Sequence, residues 1–203
     1  MMPFRIALAA TFVLAVTPVL AQNPPVASSR ATIQTINADG ATLNVRTRAG
    51  EDQTVHLTPK TRFVLVVPAT LADVKPQTFV GVAALPGEGG GLKAMEVHIF
   101  PEAMRGTGEG FRPFDLGPKS SMTNGNISAR VDATTGPKLT VTYKGGEQTI
   151  VVDPKTPIVG FDPGAQTDLK PGAAIIARGP KQADGSIEAG FLLVGKDGLV
   201  PPM

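Results

Sequence analysis

Two stretches of this chain, 31–100 and 126–195, carry the same succession of anchor residues. Thr42-Leu43-Asn44-Val45 falls on Lys138-Leu139-Thr140-Val141, and Gly50 on Gly146. Pro59-Lys60-Thr61 falls on Pro154-Lys155-Thr156, and Asp73-Val74-Lys75-Pro76 on Asp168-Leu169-Lys170-Pro171. After a one-residue gap, Gly91, Leu92, Lys93 and Ala94 correspond to Gly185, Ile187, Glu188 and Ala189. Anchors that keep their order over about 70 residues mark a duplicated unit, and a duplicated unit constrains the fold more than any local propensity.

Within each unit the pattern has period two. In the first copy Ile33, Leu43 and Val45 alternate with Thr32, Gln34, Asn44 and Arg46, and the runs are separated by Asn-Ala-Asp-Gly and Arg-Ala-Gly-Glu. That spacing predicts short half-buried strands joined by hairpins. A more continuous apolar strand is expected at 62–67, one helical turn in Thr-Leu-Ala-Asp-Val-Lys-Pro, and two further strands in Phe-Val-Gly-Val-Ala-Ala-Leu and Lys-Ala-Met-Glu-Val-His-Ile-Phe. The second copy repeats the order. With 23 glycines and 19 prolines among 203 residues, punctuation is dense enough for many short strands, and 42% hydrophobic residues exceed what a disordered chain carries. A flat sheet of five or six strands cannot bury both faces, so each unit is expected to curl into a barrel. The expected fold is all-β: two tandem small antiparallel OB-like barrels at 31–100 and 126–195, with a connector at 101–125 and a tail at 196–203.

The first 21 residues have the layout of a secretory signal: Arg5, an apolar run from Ile6 to Val16, Pro18, then Val19 and Ala21 ahead of the expected cleavage. Residues 22–30 read as a flexible lead-in. The expected product is exported, periplasmic or secreted, with no membrane span after signal removal. Losing Arg5 leaves 18 basic against 17 acidic residues, so net charge argues for no polyanion and no nucleic-acid partner is expected. The lack of cysteine excludes disulfide scaffolds, thiol enzymes and cysteine-ligated metals.

The succession Leu-x-Val, Gly turn, Pro-Lys-Thr, Asp-Leu-Lys-Pro-Gly and a closing Asp-Gly-Ser-Ile-Glu-Ala strand resembles a family of small OB-like barrels of unknown function in exported bacterial proteins. The stretch from Glu96 to Asp115 and the ending Val-Gly-Lys-Asp-Gly-Leu-Val-Pro-Pro-Met are similar to a two-copy group of exported proteins. Relatives in that group often carry an automatic label of metal ABC transporter permease. A permease needs several spanning helices, which this sequence does not offer. The resemblance implies no catalytic residues.

The connector concentrates ionisable and aromatic side chains. Arg105 and Arg112 are candidates to present bidentate forks to a carboxylate or phosphate, together with Glu102, Glu109, Phe111 and Phe114. The alternative is a clasp in which the arginines pair with those acids and the phenylalanines fill a cleft between barrels. Arg-Gly-Thr-Gly-Glu-Gly lacks the glycine spacing and the following helix of a dinucleotide loop. A divalent metal site would rest on His56, His98 and Glu96, which share outward parity on their strands and converge only if those strands are neighbours. Otherwise both histidines are expected to be exposed. No serine stands in a nucleophile elbow, so no enzymatic activity is expected. The expected function is a periplasmic binding or interaction module, its partner another envelope protein or a small anionic ligand. The alternatives are a metal-binding accessory protein and a structural envelope protein without a small ligand.

Overall fold

The computed structural model describes residues 25–87, 91–132 and 136–203, so the expected signal peptide at 1–21 lies outside the described residues. The chain is all-β. Among the described residues twelve strands follow in order: β1 (Val26–Ile36), β2 (Thr42–Thr47), β3 (Asp52–Pro68), β4 (Phe79–Pro86), β5 (Leu92–Ile99), β6 (Gly110–Pro113), β7 (Ser121–Val131), β8 (Lys138–Tyr143), β9 (Gly146–Val151), β10 (Ile158–Pro163), β11 (Ala174–Pro180) and β12 (Ile187–Gly195). Alternation works as read: Leu43 and Val45 are buried while Asn44 and Arg46 are exposed, and Leu139 and Val141 repeat this in β8. The expected lead-in is corrected at its end, because Val26 to Arg30 belong to β1 and pair with Pro180 to Ile176 of β11.

Two rings close, but neither is made from one repeat. Strands β1, β2, β3, β12 and β11 form the first barrel, and β4, β5, β9, β8 and β7 form the second. Each repeat therefore gives its first three strands to one barrel and its last two to the other. The expectation that 31–100 and 126–195 each close on themselves is overturned. The physical reason lies in β3, whose 17 residues reach about 56 Å at roughly 3.3 Å per residue, well beyond one small barrel. Its second half pairs in parallel with β12 (Leu193 opposite Val64) and antiparallel with β10 (Phe161 opposite Val66). The chain thus leaves β3 at the seam between the barrels and enters the other one.

A pseudo-two-fold relation follows from the register. Leu193 lies opposite Val64 as His98 lies opposite Val159, and both β1 and β7 slip register after the matching residues Ile33 and Ile127. Three pairings, β3 with β12, β5 with β9 and β5 with β10, are parallel, which corrects the purely antiparallel expectation.

The repeated Asp-x-Lys-Pro motif acquires a structural meaning. Asp73 accepts hydrogen bonds from the backbone N–H (2.9 Å) and hydroxyl (2.8 Å) of Thr70, capping the 3₁₀ turn Leu71–Asp73. Those bonds hold its carboxyl below the usual carboxylate range. Asp168 caps Gln166–Asp168 in the same way, through the N–H of Ala165 at 2.7 Å. The apolar residue after each aspartate then packs into a barrel: Leu169 with Ile33, Leu43 and Val55 of the first, Val74 with Val82, Leu139 and Ile150 of the second. A third core fills the seam, with Val64, Val66, Phe79, Phe100, Phe161, Ile176 and Leu193.

Candidate functional site

The connector is ordered by its own charges. Arg105 donates from Nε and Nη2 to the two oxygens of Glu102 at 2.6 and 2.7 Å, from Nη2 to the carbonyl of Gln77 at 3.1 Å, and from Nη1 to Asn126 Oδ1. Its guanidinium also stands 6.0 Å from the centre of the Phe79 ring. The bidentate pair raises the arginine and lowers the carboxyl in pKa. With its fork occupied, Arg105 fastens the connector to the entrance of β4 and to β7. Glu109 accepts the backbone N–H of Lys144 at 2.9 Å, and Arg112 donates to the carbonyl of Gly108 at 2.6 Å. Gly108 has φ of 56°, a left-handed conformation that glycine adopts without strain. Phe114 is half-buried, its N–H bonded to the carbonyl of Ser120 at 2.8 Å, whereas Phe111 remains 47% exposed. The six candidate residues thus divide: Arg105, Glu102 and Glu109 are spent on the fold, Phe114 is half-buried, and on β6 Arg112 is half-buried while Phe111 stays exposed.

The metal trio does not assemble. His56 lies in the first barrel, opposite Thr42 of β2 and Glu188 of β12, whereas Glu96 and His98 lie on β5 of the second. Strand exchange is what separates them, because it delivers β5 to the other ring. Among the described residues no group of three or more His, Asp or Glu is placed to hold a metal ion. The expectation of exposed histidines is also corrected for His98, which is 3% exposed. Its outward parity is real, but the outer face of β5 is the seam. The imidazole sits 5.0 Å from the Phe100 ring and 5.2 Å from Phe161, across Gly81, where a Cβ would fall inside the imidazole.

Glu96 is 1% exposed, and among the described residues neither of its oxygens has a hydrogen-bond partner; His98 Nδ1, likewise unpartnered there, is 3.7 Å from Oε1, too far for a hydrogen bond. By the pseudo-two-fold register, Glu96 and His98 match Phe191 and Leu193 of β12. The barrel accepts apolar groups at those places, so the polar pair is not a requirement of the fold. Arg48 is in the field of Glu96, though burial first and then Arg30 hold its guanidinium below the ordinary arginine range. Arg48 donates to the carbonyl of Met203 at 3.4 Å and to that of Pro201. The expected tail therefore packs into the seam, with Met203 buried.

Sequence reasoning missed three arginines at the seam edge. Arg30 of β1 holds Asp115 of the connector at 2.8 Å, Arg48 follows β2, and Arg178 of β11 stands one step from Arg30 on the same sheet face, opposite Ser28. Arg178 is in the field of both Asp115 and Arg112. Arg30 and Arg48 share one hairpin, the Arg48 N–H donating to the Arg30 carbonyl at 2.9 Å, and Arg178 comes from the far end of the chain; only the comparison of repeats could have singled them out, with Asn124, Lys144 and Ala83 at the matching positions.

A family model described as "Domain of unknown function (DUF5666)" matches residues 124–190. No curated protein and no solved structure gives a significant match to the chain. The matched segment runs from β7 into β12, so in this fold it contributes strands to both barrels and is not one closed barrel.

Proposed function

We propose that the protein is an exported binding or interaction module of the cell envelope, with the connector strand β6 and the adjoining seam edge as its working surface. The amino-terminal signal pattern supports export, and no helix among the described residues is long and apolar enough to cross a membrane. The observation that carries the reading is Phe111. It is a large apolar side chain left 47% exposed on a four-residue strand that, among the described residues, pairs only with β7, beside Arg112. Aromatic and arginine side chains are the types that most often anchor interfaces. The exposed Phe111 beside the half-buried Arg112 suits a protein or small anionic partner in the envelope.

Fractionation of cells expressing the full chain tests export. Cross-linking of the mature protein in the envelope, with Phe111→Ser and Arg105→Ala variants in parallel, tests the surface. Phe111→Ser is expected to abolish partner capture at an unchanged melting temperature, and Arg105→Ala to lower the melting temperature with capture retained. Capture that survives Phe111→Ser, or a protein confined to the cytoplasm, refutes the reading; an exported protein that captures nothing becomes a structural component.

A further inference from the structure

We infer that the free edge of β1, from Val26 to Arg30, docks an extended segment of a partner protein as an added strand, with a carboxylate side chain opposite Ser28. This names a second contact for the interaction module proposed above and rests on that reading.

The edge follows from register. The Ile33 N–H donates to the Ala173 carbonyl at 3.0 Å and the Lys181 N–H to the Pro25 carbonyl at 3.1 Å, so the odd-numbered residues of β1 turn their backbone groups toward β11. In an antiparallel ladder the residues between them turn theirs to the opposite side. There Thr32 faces Arg46 of β2, and the Arg30 carbonyl accepts the Arg48 N–H at 2.9 Å. β2 reaches no further. Among the described residues no strand pairs with Val26 or Ser28 on that side, so the N–H and C=O of both have no backbone partner there. A cleft of about 280 Å³ opens along this edge, lined among others by Ala27, Ser28, Arg30, Thr47 and Glu51. Unpaired backbone groups at a strand edge are a template for one more strand.

The second barrel shows what occupies such an edge. Residues 121–124 of β7 match 27–30 of β1, and β6 covers them, with Gly110 opposite Asn124 and Arg112 opposite Met122. The Phe114 N–H extends this ladder to the Ser120 carbonyl at 2.8 Å. Both barrels therefore have the same edge in the same register, and among the described residues only that of β7 is covered. The occupant of β1 must differ from β6 at one position. Met122, opposite Arg112, has Ala83 as its neighbour on β4, whereas the matching Ser28 has Arg178 as its neighbour on β11. A residue added opposite Ser28 stands about 10 Å from Arg178, across two strand spacings of about 4.8 Å with only a serine between. Arg178 is exposed and makes no ion pair among the described residues, whereas Arg30 is held by Asp115 at 2.8 Å and Arg48 turns to the Met203 and Pro201 carbonyls. Lys181, at the cleft rim, already has Glu51, Asp52 and Asp184 around it. An acidic side chain opposite Ser28 is thus attracted by Arg178, and an arginine there is repelled.

The test titrates two labelled synthetic peptides into the mature protein, followed by fluorescence anisotropy up to millimolar concentration: the 108–115 sequence, and the same peptide carrying Arg112→Glu. Saturable binding of the glutamate peptide is expected, roughly threefold tighter than that of the arginine peptide, and Arg178→Gln in the protein should remove the difference. Ser28→Pro deletes the edge N–H while leaving the bonds to β11 in place, and should weaken binding about tenfold. N-methylation of the peptide at its glutamate should do the same against the unaltered protein, which makes the result independent of how Ser28→Pro folds. The proposal is overturned by no saturable binding of the glutamate peptide, by affinity indifferent to both Ser28→Pro and N-methylation, or by no preference for glutamate. A dimer in sedimentation velocity that Ser28→Pro dissolves would overturn it too, by giving the edge to a second copy. Phe111→Ser leaves β1 untouched and separates the two readings. Peptide binding without envelope capture removes the Phe111 surface and keeps this edge; capture without peptide binding does the reverse.

Discussion

Replacing Glu96 by methionine is expected to stabilise the protein. Glu96 is 1% exposed beside His98, and neither oxygen has a hydrogen-bond partner among the described residues. Methionine has nearly the same volume, so the packing penalty is small, below about 1.5 kcal/mol at worst. A buried acceptor without a partner costs about 1–3 kcal/mol, and more when charged. Against that gain stands the lost attraction to Arg48, an exposed guanidinium that keeps its hydrogen bonds to the Met203 and Pro201 carbonyls. Attraction to an exposed charge is worth about 1 kcal/mol or less. At mid-range the balance is a gain of about 1 kcal/mol, which for a chain of this size raises the melting temperature by roughly 2–4 °C. Phe191 at the matching position of the other barrel shows that the architecture accepts an apolar group. Thermal unfolding followed by circular dichroism measures the effect, with Glu96→Gln as a partial step between the two. A melting temperature that falls in Glu96→Met would refute the reasoning, because the carboxylate would then be contributing more than its burial costs.

Gly81→Ala should destabilise strongly, by at least about 1–3 kcal/mol, since the new Cβ would enter the His98 ring, which Phe100 and Phe161 hold in place. Gly190→Ala, whose Cβ would meet nothing nearer than 3.9 Å, is the control, and equal melting temperatures for the two variants would contradict the packing of the seam. Strand exchange predicts that cleavage in the connector near Gly106 yields two fragments that unfold without cooperativity alone and regain one cooperative transition when mixed. Independent cooperative folding of either fragment, seen by calorimetry, would mean that a repeat closes on its own.

The local grammar was legible because it depends only on neighbours in the chain. Period-two alternation made Leu43, Val45, Leu139 and Val141 core residues, and turn chemistry placed a helical turn ahead of Pro76, where Leu71–Asp73 is found. The connector showed its composition but not its division of labour. Nothing in Arg105 or Arg112 as residue types says which fork will find Glu102 and which will remain near Arg178. His56 and His98 likewise share a parity that says nothing about which barrel each strand joins.

The sequence by itself determined a duplicated all-β chain, its strand faces, its capped Asp-x-Lys-Pro turns and the absence of cysteine chemistry, all of which follow from spacing and residue type. Tertiary structure alone decided which strands close which ring. A repeat can satisfy its edges equally by pairing with itself or with its copy, because both offer the same hydrogen bonds and nearly the same faces. That choice set everything at the seam. It buried Glu96 and His98 and parted them from His56.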